Sequence, residues 1–343
     1  MSVQPLHRSH GGPDALGPVR WDFSTNANAA DPCPQAVQAL AAADASRYPD
    51  ARYCALRERL AAWHKVDAQR ILLAASASEF IQRITAVGAQ IAPGPVAVPA
   101  LAYGDYAVAA RAFGRAAVDI TAPQATLRWC ADPGSPMGRD APPPPSPSDR
   151  PTVLDLAYAP LRLSGKTSWT SAARDAVFQL YSPNKALGLP GVRGAYVIAP
   201  AASPAHRNWS HRSWCDALEN AQPSWPLGAH AVALLQSWTE AGTQTWLAEA
   251  RTTLCHWTAA LRAGLADLGL EPAASVTPFL CARQPGTAAP GLLQRVLREK
   301  DLAVRDTASF GLPGWMRVSA QPPQALRALL DALRALRAEA PLV

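Results

Sequence analysis

The chain has 343 residues, 49% of them apolar, with a formal net charge of +6. That length fits two or three domains, or one large α/β unit with a smaller lobe, and the apolar share is ample for a core. No run of about 18 uninterrupted apolar residues occurs, which argues against a membrane span, and the dispersed Lys and Arg argue against nucleic-acid binding. In chain order, residues 34–44 and 55–65 read as helices. A short apolar run at 71–74 follows, then Ser76 with Glu79 at capping-box spacing opens a helix to about residue 88. Residues 96–98 form a strand, and an alanine-rich helix starts near Tyr106. Further short apolar runs lie at 116–120, 128–131, 153–156, 177–181 and 195–198. Strands alternating with helices predict an α/β fold with a mostly parallel sheet covered by helices. Residues 229–268 read as one long helical connector. Beyond it, strand-like pieces at 277–282, 303–305 and 316–319 and helices at 291–300 and 323–338 predict a small α+β lobe. The expected organisation is an arm at 1–33, a large domain at 34–240 and a small C-terminal domain with its connecting helix at 241–343.

Residues 1–12 lack an apolar signal stretch. Six cysteines are scattered without a CxxC pair, which suits free thiols in a reducing cytoplasm and no metal site. Proline occurs 33 times, about twice the usual ~5%. The stretch Pro142-Pro143-Pro144-Pro145 can be neither helix nor inner strand and reads as a surface polyproline loop.

The chemistry concentrates around Lys185, in Ser182-Pro183-Asn184-Lys185-Ala186-Leu187-Gly188-Leu189-Pro190-Gly191-Val192-Arg193. A lysine amine can capture an aldehyde, and an arginine eight residues on can hold a phosphate of the same small molecule. Pyridoxal 5'-phosphate (PLP) is such a molecule. Asp155, ending an apolar run, supplies a carboxylate for its pyridine nitrogen, and Tyr158 a phenol for its ring oxygen. An Asp in this place could instead cap the following turn, and Tyr158 could be a plain core aromatic. Ala77 and Ser78, after Ser76, open a helix whose backbone amides can bind the phosphate. Tyr103 or Tyr106 could stack on the ring. Most of these groups follow strand-like runs, where open α/β sheets bind ligands.

Together these residues resemble the fold-type I PLP-dependent transferase-like enzymes, in the branch of histidinol-phosphate aminotransferase. Residues 185–193 are similar to that branch's lysine loop, and Ser182 then falls among the cofactor-binding positions. Arg47-Tyr48-Pro49-Asp50 resembles an element whose tyrosine, here Tyr48, reaches the PLP phosphate of a neighbouring subunit, which implies a homodimer. Arg317, in Trp315-Met316-Arg317-Val318-Ser319, resembles the arginine that takes the substrate carboxylate. The ends narrow the resemblance. His10-Gly11-Gly12, Asp22-Phe23-Ser24-Thr25-Asn26 and Val304-Arg305-Asp306 resemble the L-threonine-O-3-phosphate decarboxylases of cobalamin biosynthesis. That implies His10, Asn26 and Arg305 as binders of a substrate phosphate. The expected reaction is decarboxylation of L-threonine O-3-phosphate to (R)-1-aminopropan-2-yl phosphate. The alternatives are an aminotransferase of the histidinol-phosphate type and a PLP-binding protein without catalysis.

The chain departs from the pattern in four places. Ser135 stands where an asparagine usually donates to the ring oxygen. Asn184 replaces a common serine before the lysine, Pro183 is unexpected beside it, and the proline stretch occupies the place of a helix.

Overall fold

The computed structural model describes residues 10–147, 149–201, 209–283 and 291–339. The strands are β1 (Trp21–Asp22), β2 (Ile71–Ala74), β3 (Val96–Val98), β4 (Ala117–Asp119), β5 (Leu127–Ala131), β6 (Thr152–Asp155) and β7 (Phe178–Tyr181), then β8 (Ala195–Ile198), β9 (Glu271–Pro272), β10 (Phe279–Arg283), β11 (Leu302–Ala303), β12 (Arg305–Asp306) and β13 (Trp315–Ser319). The helices are α1 (Pro34–Ala41), α2 (Cys54–His64), α3 (Ala77–Ile91), α4 (Gly104–Ala112), α5 (Ser171–Asp175), α6 (His211–Asn220), α7 (Ala229–Trp238), α8 (Ala241–Asp267), α9 (Leu292–Glu299) and α10 (Pro323–Glu339).

Among the described residues, β2 to β8 make a seven-stranded sheet in the order β2-β8-β7-β6-β5-β3-β4. It is mostly parallel, as the alternation of strands and helices predicts. Only β8 runs against its neighbours β2 and β7. A parallel neighbour needs a crossover, usually helical. The segment from β7 to β8 carries the Lys185 loop and no helix, so the chain simply returns. Alternate strand residues feed opposite layers. Leu73, Tyr196 and Ile198 pack with Leu60, Leu234 and Leu235 of α2 and α7 on one face. Leu72, Val153 and Val197 pack with Ile84, Ala109 and Trp214 of α3, α4 and α6 on the other. Both faces are therefore dry, which explains why every residue of β6 and β8 is buried and β8 reads as an unbroken apolar run.

A second, four-stranded sheet has the order β12-β13-β10-β9. It packs with α8 and α10 through Leu265, Leu280, Val318 and Leu329. The arm belongs to this layer: β1 pairs in parallel with β11, and Phe23 is fully buried in the same core.

Ser76 caps α3 by accepting the Glu79 amide at 3.0 Å. Glu79 turns back one residue further than a capping box requires, accepting from the Ala75 amide at 3.1 Å and pairing with Arg83. Three expectations need correction. The helical stretch 229–268 is two helices, broken at Thr239 and Glu240. There Ser237 and Thr239 bond back to carbonyls of their own turn, at 2.9 Å each, which lets α7 end. The run 303–305 is split, Ala303 pairing with the arm and Arg305 with β13. Finally, β1 is too short to carry a periodic signal, and α6, which buries Trp214 and Leu218 one turn apart, is not among the expected helices. Residues 141–147 hold no helix, in keeping with their prolines. No helix among the described residues is long and apolar enough to cross a membrane.

Candidate active site

The loop after β7 is organised by Asn184. Its side-chain oxygen accepts from Ser182 Oγ at 2.9 Å and from the Lys185 amide at 3.0 Å. Its side-chain amide donates to the carbonyls of Pro190 and Val192. Asn184 thus does a structural job that serine is too short to do. The arm straps the loop from above, with the Asn28 amide donating to the Lys185 carbonyl at 2.9 Å and Asn28 Nδ2 to the Ala186 carbonyl at 3.0 Å. Lys185 Nζ lies 5.5 Å from the centre of the Tyr158 ring. The Tyr158 hydroxyl accepts from Asn26 Nδ2 at 3.4 Å, and its ring meets Phe279 edge-on.

Asp155, at the C-terminal end of β6, is buried. Oδ1 accepts the Ala157 amide at 2.9 Å, so it does cap the following turn. Oδ2 accepts the Tyr106 hydroxyl at 2.6 Å. This corrects the place of Tyr106: it is 1% exposed and stacked on Trp129, so it offers no open ring face. Tyr103 remains as the partly exposed aromatic. Its hydroxyl lies 3.4 Å from Ser78 Oγ, and burial pushes its phenol pKa up. The amides of Ala77 and Ser78 donate to no described residue, as the first turn of a helix leaves them.

Arg305 and Arg317 are register partners on β12 and β13. Both guanidinium groups lie over the Phe310 ring, at 5.0 and 5.7 Å. Arg317 donates to Ser135 Oγ at 3.2 Å and to the Ser24 carbonyl at 2.9 Å. Arg305 donates to Ser309 Oγ at 2.6 Å. Burial, then the neighbouring Arg317 charge, pull the Arg305 pKa down to about 10. Burial also lowers that of Arg317. No carboxylate among the described residues forms an ion pair with Arg317. The Arg317 charge thus acts against that of Arg305, and the neighbouring Asp306 offsets part of it. Asn26 Oδ1 and Arg317 Nε are buried without a hydrogen-bond partner among the described residues.

His10 is the first described residue. Its Nε2 lies 3.6 Å from Asp105 Oδ1, and its ring 5.8 Å from Tyr103. The arm behind it is docked rather than loose. The Gly12 amide donates to Ser24 Oγ at 2.8 Å, and a Cβ on Gly11 would fall 2.1 Å from the Ser24 carbonyl oxygen. Only glycine fits there.

Two expected residues are exposed in the single chain. Arg193 is exposed and hydrogen-bonds to no described residue. Tyr48 is 78% exposed and stacks on Trp225 at 4.5 Å. Residues that sequence reasoning missed are Ser24, Asp105, Phe310 and the Tyr106 hydroxyl. Tyr106, three positions after Tyr103, sits on the inward side of α4, which helical spacing would have indicated.

Among curated proteins, the chain is 27% identical to the histidinol-phosphate aminotransferase of Ruegeria pomeroyi, over 92% of this chain and 90% of that one. It is 28% identical to that of Granulibacter bethesdensis, over 99% and 96%. The fold matches the Clostridium acetobutylicum histidinol-phosphate aminotransferase with a TM-score of 0.77 at 15% identity, covering 93% and 100% of the two chains. It matches the Sinorhizobium meliloti enzyme, solved with pyridoxal-5'-phosphate, at 0.74 and 18%, covering 94% and 93%. L-threonine-O-3-phosphate decarboxylase from Porphyromonas gingivalis gives 0.73 and 18%, covering 92% and 98%. At these identities the structural likeness carries the fold alone. The decarboxylase is thus a neighbour in fold, while the relatives named above from sequence are aminotransferases. Residues 20–126 and 149–333 match the aminotransferase class I and II family, and the chain belongs to it.

Proposed function

We propose that the protein is a PLP-dependent aminotransferase of the histidinol-phosphate type, taking a primary amine that carries a phosphate. The observation that carries this reading is the Arg305–Arg317 pair. These two buried cations both lie over the Phe310 ring, and the arm that carries Asn26 also bonds to the Lys185 loop. The names of the sequence relatives favour transamination over the decarboxylation that the N-terminal motifs imply.

The side chains fit PLP. A lysine amine, a buried carboxylate, a phenol and unpaired amides at the start of the 15-residue helix α3 match the cofactor's aldehyde, nitrogen, hydroxyl and phosphate. When bound, the cofactor supplies an aldehyde that captures amines and a ring that draws electrons from the attached carbon. Lys185 would hold it covalently, Asp155 would face its ring nitrogen and Tyr158 its ring oxygen. Ala77, Ser78, Ser182 and Arg193 would hold its phosphate, with Ser76 shaping the helix start and Tyr103 covering the ring. Ser135 would contribute a hydroxyl near the ring oxygen. Its link to Arg317 ties the cofactor side of the site to the substrate side. Tyr48, exposed on one chain, would complete the phosphate site of a second copy in a homodimer.

The chain's own groups then do the following. Arg305, with Asn26 and His10, grips the substrate phosphate and fixes the orientation of the amine-bearing carbon. Arg317 takes the carboxylate of the amino-group acceptor with its planar fork. Lys185 Nζ takes the proton from the substrate Cα as general base.

A second reading, decarboxylation of L-threonine O-3-phosphate, is favoured by one observation: the His10-Gly11-Gly12 arm is docked on Ser24, whose carbonyl also holds Arg317. Mass spectrometry of products separates the two. PLP-loaded protein given L-histidinol phosphate and 2-oxoglutarate should yield glutamate and the keto product. CO2 loss from L-threonine O-3-phosphate without any keto acid, and no glutamate, would establish the second reading instead.

A further inference from the structure

We infer that Tyr106 is a positioning residue that presets Asp155 for the cofactor ring nitrogen; the inference rests on the PLP reading above. Trp129 and Val153 are register partners on β5 and β6, and Val153 shares its face of β6 with Asp155. Tyr106 lies flat on Trp129, with ring centres 4.4 Å apart and 8° between planes. That stack aims its hydroxyl at Asp155 Oδ2, 2.6 Å away. Burial first, then the Asp155 charge, hold the phenol pKa well above its ordinary value. It therefore keeps its proton and acts toward Asp155 only as a donor. The Ala157 amide holds the other carboxylate oxygen at 2.9 Å. With one donor on each oxygen, the carboxylate plane cannot turn. A ring nitrogen arriving at the strand end meets an acceptor already oriented, so less freedom is lost on binding. Tyr103 rests edge-on against Tyr106, at 5.8 Å and 85°. One aromatic column thus sets both the acid and the aromatic nearest the ring face.

A buried tyrosine also needs an acceptor merely to be satisfied, so the test must separate positioning from packing. Tyr106→Phe keeps the ring and its stack and removes only the donor. Apo-protein would be titrated with PLP and followed by visible absorbance and tryptophan fluorescence. Losing a hydrogen bond to a charged group should weaken PLP binding about tenfold. It should also move the pH midpoint of the bound cofactor's visible band by about one unit. In an Asp155→Ala background the same change should alter binding less than about twofold, because coupled sites are not additive. Trp129→Phe, which trims the core but keeps an aromatic ring for the stack and keeps the hydroxyl, should leave the midpoint in place. Unchanged binding and midpoint in Tyr106→Phe, or equal effects in both backgrounds, would reduce Tyr106 to core packing. A wild-type protein that takes up no PLP would overturn the cofactor reading itself, and this inference with it.

Discussion

The two halves of the candidate site are built on opposite plans. At the ends of β6 and β7, Asp155 and the Lys185 loop are anchored by partners within the chain: Tyr106 and Ala157 for the carboxylate, Asn184 for the loop. At the small sheet, Arg305 and Arg317 are register partners, and Asn26 Oδ1 and Arg317 Nε are buried without a hydrogen-bond partner among the described residues. The first half is finished before a ligand arrives and sets geometry. The second brings two buried guanidinium groups to one aromatic ring, where the proposed function places an anion. A site of this kind positions reacting atoms with its rigid half and selects its substrate with its cationic half.

Substitutions should break that contrast in graded fashion. Lys185→Ala removes the amine and the proton carrier from the rigid half. Turnover should fall on the order of 10³-fold or more, and the visible signature of covalently held cofactor should vanish. Arg305→Ala should lower kcat/KM for a phosphorylated amine about 100-fold while leaving PLP affinity unchanged, a loss typical of a charge-assisted pair. Arg317→Lys should act almost as severely on the keto acid, because a point charge cannot replace the fork that reaches Ser135 and the Ser24 carbonyl. Asn26→Ala should raise KM by about tenfold, near the value of one or two hydrogen bonds.

The smallest effect concerns the floor beneath the Lys185 loop. His64 Nε2 meets the Tyr196 hydroxyl at 2.8 Å, and burial holds its pKa down at about 4, against 6.5 when unfolded. Between those values the unfolded chain binds the proton and the folded chain does not. Stability should therefore fall as pH drops from 6.5 toward 4, by at most about 3 kcal/mol. His64→Gln should flatten that dependence in thermal melts. A wild-type melt with no greater acid sensitivity than the variant would count against a half-buried neutral imidazole.

Much of the rigid half was legible in the sequence. Lys185, Asp155 and Ser76 each follow a short apolar run, and strand ends are where this class of sheet presents its loops. Asn184 looked like a defect because the role of a loop residue depends on carbonyls six and eight positions away, which spacing does not reveal. The cationic half was legible only through the resemblance. Arg305 and Arg317 are twelve residues apart, and nothing in that interval says that β12 and β13 pair them. Phe310 stands in Ser309-Phe310-Gly311-Leu312, which shares the resemblance to the decarboxylases, but its place under two arginines depends on two strands meeting over one ring. Helices α7 and α8 read as one because the break comes from local hydroxyl bonding, not from a proline or glycine. The arm's strand β1 is two residues long, too short for any periodicity, and exists through its pairing with β11.

The most direct test of the account is a single-turnover measurement on PLP-loaded protein, wild type against Arg305→Ala, with L-histidinol phosphate and with L-histidinol. The account predicts fast conversion of the cofactor to its amine form only in wild-type protein given the phosphorylated amine. Equal rates with and without the phosphate, in both proteins, would contradict it.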